Sequence, residues 1–147
     1  MKTAAFACLA AVLIAGCGTP SREHDTPAAS PVVDGHNARN ALDWDGVYEG
    51  TLPCADCPGI RTRLTLRQDG RYELETQYLD RQPRVDRVEG SFTWQPDGTR
   101  ITLDQAAGGR QYFVAEGRLI QLYMDGTRPQ GPLAGNHELQ KVENTGR

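Results

Sequence analysis

Two cysteines three residues apart, Cys54 and Cys57, are the side chains of this sequence best placed to do chemistry. They lie in Pro53-Cys54-Ala55-Asp56-Cys57-Pro58. A pair at this spacing supports three chemistries. Oxidised, it closes a structural disulfide over a very short loop, with an entropic gain under about 3 kcal/mol. Reduced, it offers two thiolates, which can share one Cu(I) or supply half of a tetrahedral zinc site. The third is a catalytic redox pair, but that chemistry usually seats the first cysteine at a helix N-terminus, where its pKa falls. Here prolines bracket the pair and no helical pattern follows, which disfavours an oxidoreductase. Met124 and His137 are the further ligand types to consider, although a methionine is more often packing and a strand histidine more often surface. No nucleophile elbow, phosphate loop or paired His–carboxylate motif accompanies them.

A third cysteine points to a compartment. Met1 to Gly16 reads MKTAAFACLAAVLIAG: one basic residue, Lys2, then an apolar run from Ala4 to Ala15. The run is too short for a bilayer span and fits a secretory signal. It ends in Ile14-Ala15-Gly16-Cys17, which resembles the bacterial lipobox, where the cysteine is acylated and becomes the new N-terminus. Residues 1–16 are therefore read as a lipoprotein signal peptide and Cys17 as the lipid attachment. Several acyl chains on one cysteine suffice for stable anchoring. Gly18 follows where an aspartate would retain an enterobacterial lipoprotein on the inner membrane, so the expected location is the periplasmic face of the outer membrane. Cys8 leaves with the signal, and Cys54 and Cys57 remain as the two thiols in an oxidising compartment.

The rest of the chain must position that pair. Residues 17–43 carry Pro20, Pro27 and Pro31 among small and polar side chains and read as a flexible tether, spanning about 25–30 Å root-mean-square. From Trp44 the pattern alternates with period two, punctuated by Asp45-Gly46, Asp69-Gly70, Asp97-Gly98 and Asp125-Gly126, which are hairpin signals. Eight strands are predicted, at about 46–52, 60–67, 71–78, 86–95, 99–104, 110–115, 118–124 and 136–142. A three-residue Gln68-Asp69-Gly70 turn pairs Leu66 with Tyr72 and Arg63 with Glu75, keeping both apolar sets on one face. A two-residue Asp97-Gly98 loop pairs Trp94 with Ile101 and Phe92 with Leu103. Between Gln111 and Tyr123 both faces are apolar, and neither is assigned inward. The loop holding Asp80, Arg81, Arg84, Asp86, Arg87 and Glu89 reads as a solvated mixed-charge face.

Eight sequential antiparallel strands with one apolar face close most readily into an all-β, small antiparallel up-and-down barrel, lipocalin-like in outline, over residues 44–147. Trp44, Trp94 and the inward tyrosines either fill it or line a pocket for a small apolar ligand; filling is the more common outcome at this strand number. The net charge of −3 argues against nucleic acid, and the domain is expected to be a monomer.

The stretch Gly46-Val47-Tyr48-Glu49-Gly50-Thr51-Leu52-Pro53-Cys54-Ala55-Asp56-Cys57-Pro58-Gly59-Ile60, followed by Thr62, Leu64 and Leu66, closely resembles the N-terminal domain of the NlpE family. These lipoproteins are linked to copper resistance and envelope-stress signalling. The resemblance runs from about Trp44 to Val142, strongest in the first third and loose after Arg87. It implies a lipocalin-like β-barrel, in agreement with the strand count. It also implies a fourth reading of Cys54 and Cys57: a metal- or redox-dependent loop that a partner, such as an envelope-stress sensor kinase, reads. Copper is then the expected metal, and a binding or signalling module rather than an enzyme the expected class. The alternative is a carrier of a small apolar ligand. Longer members add a C-terminal OB-like domain with a second cysteine pair; this chain ends at Arg147 without it, so functions placed there are not carried over.

Overall fold

The structure is a computed structural model and describes residues 36–81 and 84–143. Cys17, the signal segment and most of the expected tether lie outside them. Eight strands follow in order: β1 Gly46–Leu52, β2 Ile60–Leu66, β3 Arg71–Tyr78, β4 Asp86–Trp94, β5 Arg100–Leu103, β6 Gln111–Ala115, β7 Arg118–Gln121 and β8 Glu138–Val142. Each pairs with its neighbour, and β8 returns to β1, so the sheet closes as a barrel. Because the order is a plain meander, the connections alternate between two mouths. The loops after β2, β4 and β6 are tight and share one mouth. The longer loops after β1, β3, β5 and β7 share the other.

The first hairpin register is as the alternation dictates: Leu66 faces Tyr72 and Arg63 faces Glu75. Gly70 takes φ +80 in a three-residue turn closed by the Arg67 amide on the Arg71 carbonyl. The second hairpin keeps its expected register, Trp94 to Ile101 and Phe92 to Leu103, but not its two-residue loop. Pro96 fixes φ near −65° and starts a turn in which the Gly98 amide donates to Gln95 O. Pairing resumes only where Gln95 N donates to Arg100 O. The other two Asp-Gly pairs make no hairpin between strands. Asp45-Gly46 leads into β1, and Asp125-Gly126 forms a local turn, Tyr123–Thr127, inside the long β7–β8 connection.

The inward faces fill the barrel. Tyr48, Leu64, Ile101, Tyr112, Leu119 and Leu139 are fully buried, with Leu66, Leu74 and Leu103 beside them. Near the tight-turn mouth Trp44, Phe92 and Trp94 meet edge to face at 5.3–6.4 Å. The doubly apolar stretch resolves cleanly. Tyr112, Val114 and Leu119 point in, whereas Phe113 and Ile120 pair on the outside, where the β7–β8 connection supplies cover through the Arg128 guanidinium, 4.2 Å from the Phe113 ring centroid.

One boundary is corrected. The expected tether does not run loose to Asp43: Ala38–Ala41 form a single helical turn, α1, capped by the Asn37 side chain. Ala38 joins the core cluster, and Leu42 packs against it. The ordered unit thus begins before Trp44.

Three interior tyrosines give the fold an alkaline limit. Burial raises the pKa of Tyr48, with Asp43 and Asp45 adding to it. Burial raises Tyr72, whose hydroxyl donates to Asp104 Oδ1 at 2.7 Å. Burial pushes Tyr112 up to about 12 against the opposing pull of Arg110, with which it makes no well-formed hydrogen bond. The folded pKa values lie above the unfolded value of about 10, so the contribution is fully present below that pH and is lost as pH rises through the folded values. The melting temperature is expected to fall from about pH 10, with tyrosinate absorbance from these three rings appearing together with loss of sheet circular dichroism. Their ionisation with the sheet intact would contradict this.

Candidate functional site

The Cys54–Cys57 loop bridges β1 and β2 at the long-loop mouth. Leu52 and Ile60 are the last paired residues on either side, and buried Leu52 fixes where the loop departs. Gly59 allows the return: a Cβ there would stand 2.5 Å from Thr51 Cγ2. The Gly59 carbonyl accepts from the Leu79 amide at 3.0 Å, which joins the loop base to the end of β3.

Between these fixed ends the two cysteines are joined as a disulfide, with their Cα atoms 5.3 Å apart. Both are half-buried, while Ala55 and Asp56 at the apex are exposed. Cys57 Sγ lies 3.3 Å from the Gly59 carbonyl, and Cys54 Sγ lies 3.5 Å from Asp56 Oδ1. Bonded sulfurs carry no proton, so these are contacts rather than donated hydrogen bonds.

The apex is clasped from the neighbouring loop. Arg81 Nη2 donates to Asp56 Oδ2 at 2.5 Å, and its guanidinium lies 5.6 Å from the Tyr78 ring centroid. Asp80, at φ +59, turns the chain just ahead of it. Both charges are largely exposed, so the pair stabilises the fold by about 1 kcal/mol at most. Its consequence is positional: it ties the disulfide loop to the β3–β4 connection.

Of the residues singled out by sequence, the structure joins Cys54 and Cys57 and leaves the others elsewhere. Met124 is exposed in the Asp125-Gly126 turn. His137 ends the 3-10 turn before β8, its ring against Tyr123. Among the described residues no three His, Cys, Asp or Glu side chains converge as metal ligands. The donor set therefore fits a two-coordinate soft ion on reduced Cys54 and Cys57, and does not fit a four-ligand zinc site. The mixed-charge loop is not solely a solvated face. Arg87 pairs with Glu73 and Glu75, and Arg81 reaches the cysteine loop. Asp56 and Arg81 were legible only through topology: in a meander, the loops after β1 and β3 share a mouth, so opposite charges on them can meet.

Among the described residues the inward side chains of the barrel pack on one another, and Trp44, Phe92 and Trp94 line a cleft at the tight-turn mouth together with Arg39 and Gln68.

The model of the NlpE N-terminal domain matches residues 48–132. Lipoprotein NlpE of Escherichia coli (strain K12) is 31% identical over 75 residues, covering 51% of this chain and 32% of that protein. A 17 kDa lipoprotein of Treponema pallidum (strain Nichols) is 37% identical over 49 residues, covering 33% of this chain and 31% of that protein. The aligned part thus spans about a third of the length of either curated relative. A crystal structure of a candidate lipoprotein from Shewanella oneidensis superposes with a TM-score of 0.69 at 44% identity, covering 74% of this chain and 98% of that one.

Proposed function

The chain belongs to the NlpE N-terminal domain family, and from that premise we propose that it is an envelope lipoprotein of copper homeostasis and envelope-stress sensing, acting through the Cys54–Cys57 loop without catalytic turnover. Cys17, in its lipobox, carries the anchor and holds the barrel at the periplasmic face of the outer membrane. The relatives it resembles are lipoproteins by name, which supports the anchor.

One observation carries the assignment of the loop. The barrel core is packed, so recognition falls to its surface, and at the long-loop mouth the cysteine pair is the reversible dithiol–disulfide couple among the described residues. The pair has two chemical states. Reduction takes two electrons and two protons from a dithiol and frees both sulfurs. Cu(I) binding then displaces the two thiol protons, with Cys54 and Cys57 as its ligands. Either change alters the loop that Arg81 clasps, and a sensor kinase of the envelope is the partner proposed to read it.

The test is an anaerobic Cu(I) titration of the dithiothreitol-reduced, desalted protein against a competing chromophoric chelator. One equivalent should bind, and none to Cys54→Ser/Cys57→Ser. Equal binding by both forms would remove copper from the proposal.

A further inference from the structure

We propose that residues 37–43 form a releasable strap, hinged at Trp44, that detaches from the tight-turn mouth while the barrel stays closed. Its release exposes the strap-facing side of the Trp44–Phe92–Trp94 cluster.

The strap is seated in a socket rather than paired into the sheet. Gly98, at φ +62, is buried, and a Cβ there would stand 2.3 Å from Asn37 Nδ2: the Asn37 side chain occupies the space that only glycine leaves free. The Gly98 carbonyl accepts from the Arg39 amide at 3.0 Å, and Ala38 inserts beside them into the core. At the other end Lys141 Nζ donates to the Asp43 carbonyl at 2.6 Å and to its carboxylate at 2.8 Å. These are point contacts. By comparison, β1 pairs seven of its residues with β2.

The hinge is equally defined. The buried Tyr48 hydroxyl donates to the Trp44 carbonyl at 2.6 Å, so the backbone at Trp44 is held from inside the barrel. The Trp44 indole, in turn, donates its Nε1–H to the Arg39 carbonyl at 3.0 Å. Lifting the strap breaks that bond and bares one side of the aromatic cluster without disturbing a strand. A segment with few buried apolar groups and a solvent-exposed hydrogen-bond set belongs to the low-stability end of a fold and opens below global unfolding. Where the chain is anchored through Cys17, as the proposed function has it, the strap is the described element nearest the anchor in sequence. Strain on the tether would then reach the strap before any strand.

The chain's two tryptophans, Trp44 and Trp94, both lie at this contact, so intrinsic fluorescence reports it without a label. Two measurements on the full chain test the proposal, neither requiring a membrane. In native-state hydrogen exchange, the amides of Arg39 and Leu42 should exchange at least about tenfold faster than those of β2 and β3, through an opening that leaves the latter protected. In Ala38→Glu, a buried carboxylate should expel the strap. Tryptophan emission should shift to the red and acrylamide quenching should rise severalfold, with sheet circular dichroism and β2–β3 protection unchanged. Strap amides that exchange only with global unfolding would overturn the proposal. So would an Ala38→Glu chain whose quenching is unaltered, or one whose barrel melts along with its strap.

Discussion

Gly50→Val is expected to abolish cooperative melting of the barrel. Gly50 sits in β1 opposite Thr62, one residue beyond the short β1–β8 ladder of Val47, Tyr48 and Glu49 on Val142, Lys141 and Gln140. A Cβ at Gly50 would stand 2.6 Å from the Glu138 carbonyl oxygen and 3.3 Å from Leu139 Cα. Both are backbone atoms, so no rotamer change relieves the clash. Overpacking of a core typically costs about 1–3 kcal/mol, and a case that displaces a strand falls at or above the top of that range. The displaced strand is the one that closes the sheet, so the substitution also frees two strand edges, which invites aggregation. Domains of this size carry only about 5–15 kcal/mol of net stability. Thermal melting should show a broad or lost transition and a shift toward soluble aggregate on sizing. A substitution at Gly117 serves as the comparison. Its φ is +64 but nothing stands within 4 Å of its Cβ position, so Gly117→Asn should melt close to wild type, since asparagine tolerates that conformation. A Gly50→Val chain melting within a degree or two of wild type would show that β8 is not fixed at this crossing.

The barrel, its strand order and the register of two hairpins follow from period-two alternation and turn length, because a one-residue slip would have put Leu64 and Leu74 in water. What escaped were features written in few residues or across long separations. The strap announces itself by three apolar residues, Ala38, Ala41 and Leu42, spaced as a single helical turn and too few to register as a pattern. Phe113 and Ile120 defeated the facing rule because the β7–β8 connection covers them on the outside, which alternation alone does not encode. Asp45-Gly46 and Asp125-Gly126 share the chemistry of the hairpin turns but not their position. At the candidate site, Cys54 and Cys57 stood out by type and spacing. Asp56 and Arg81 met only once the meander placed their loops at one mouth.

The double substitution Cys54→Ser/Cys57→Ser should separate the loop from the fold. The disulfide closes a loop of sequence separation 3, and the entropic gain from so short a closure is under about 3 kcal/mol. The loop ends are held independently of it. Leu52 is buried, Leu52 pairs with Ile60, and the Leu79 amide bonds the Gly59 carbonyl. Against the modest loss stand the fully buried side chains of eight strands, each contributing about 1.5–3 kcal/mol before entropy. Sheet circular dichroism should therefore be unchanged, the transition still cooperative, and the melting temperature lowered by only several degrees. Function should respond differently. With neither thiol of the pair left to bind or to cycle, tight Cu(I) uptake at this loop should vanish, and cells carrying the variant as their sole copy should lose the copper-dependent part of the proposed envelope-stress response. Arg81→Ala distinguishes chemistry from positioning: it keeps both sulfurs and releases the clasp on Asp56, so it should bind Cu(I) as wild type does while blunting the signal. A double-serine chain that fails to fold would make the pair a structural staple. A folded one with full copper tolerance and signalling would move the site of recognition off this loop.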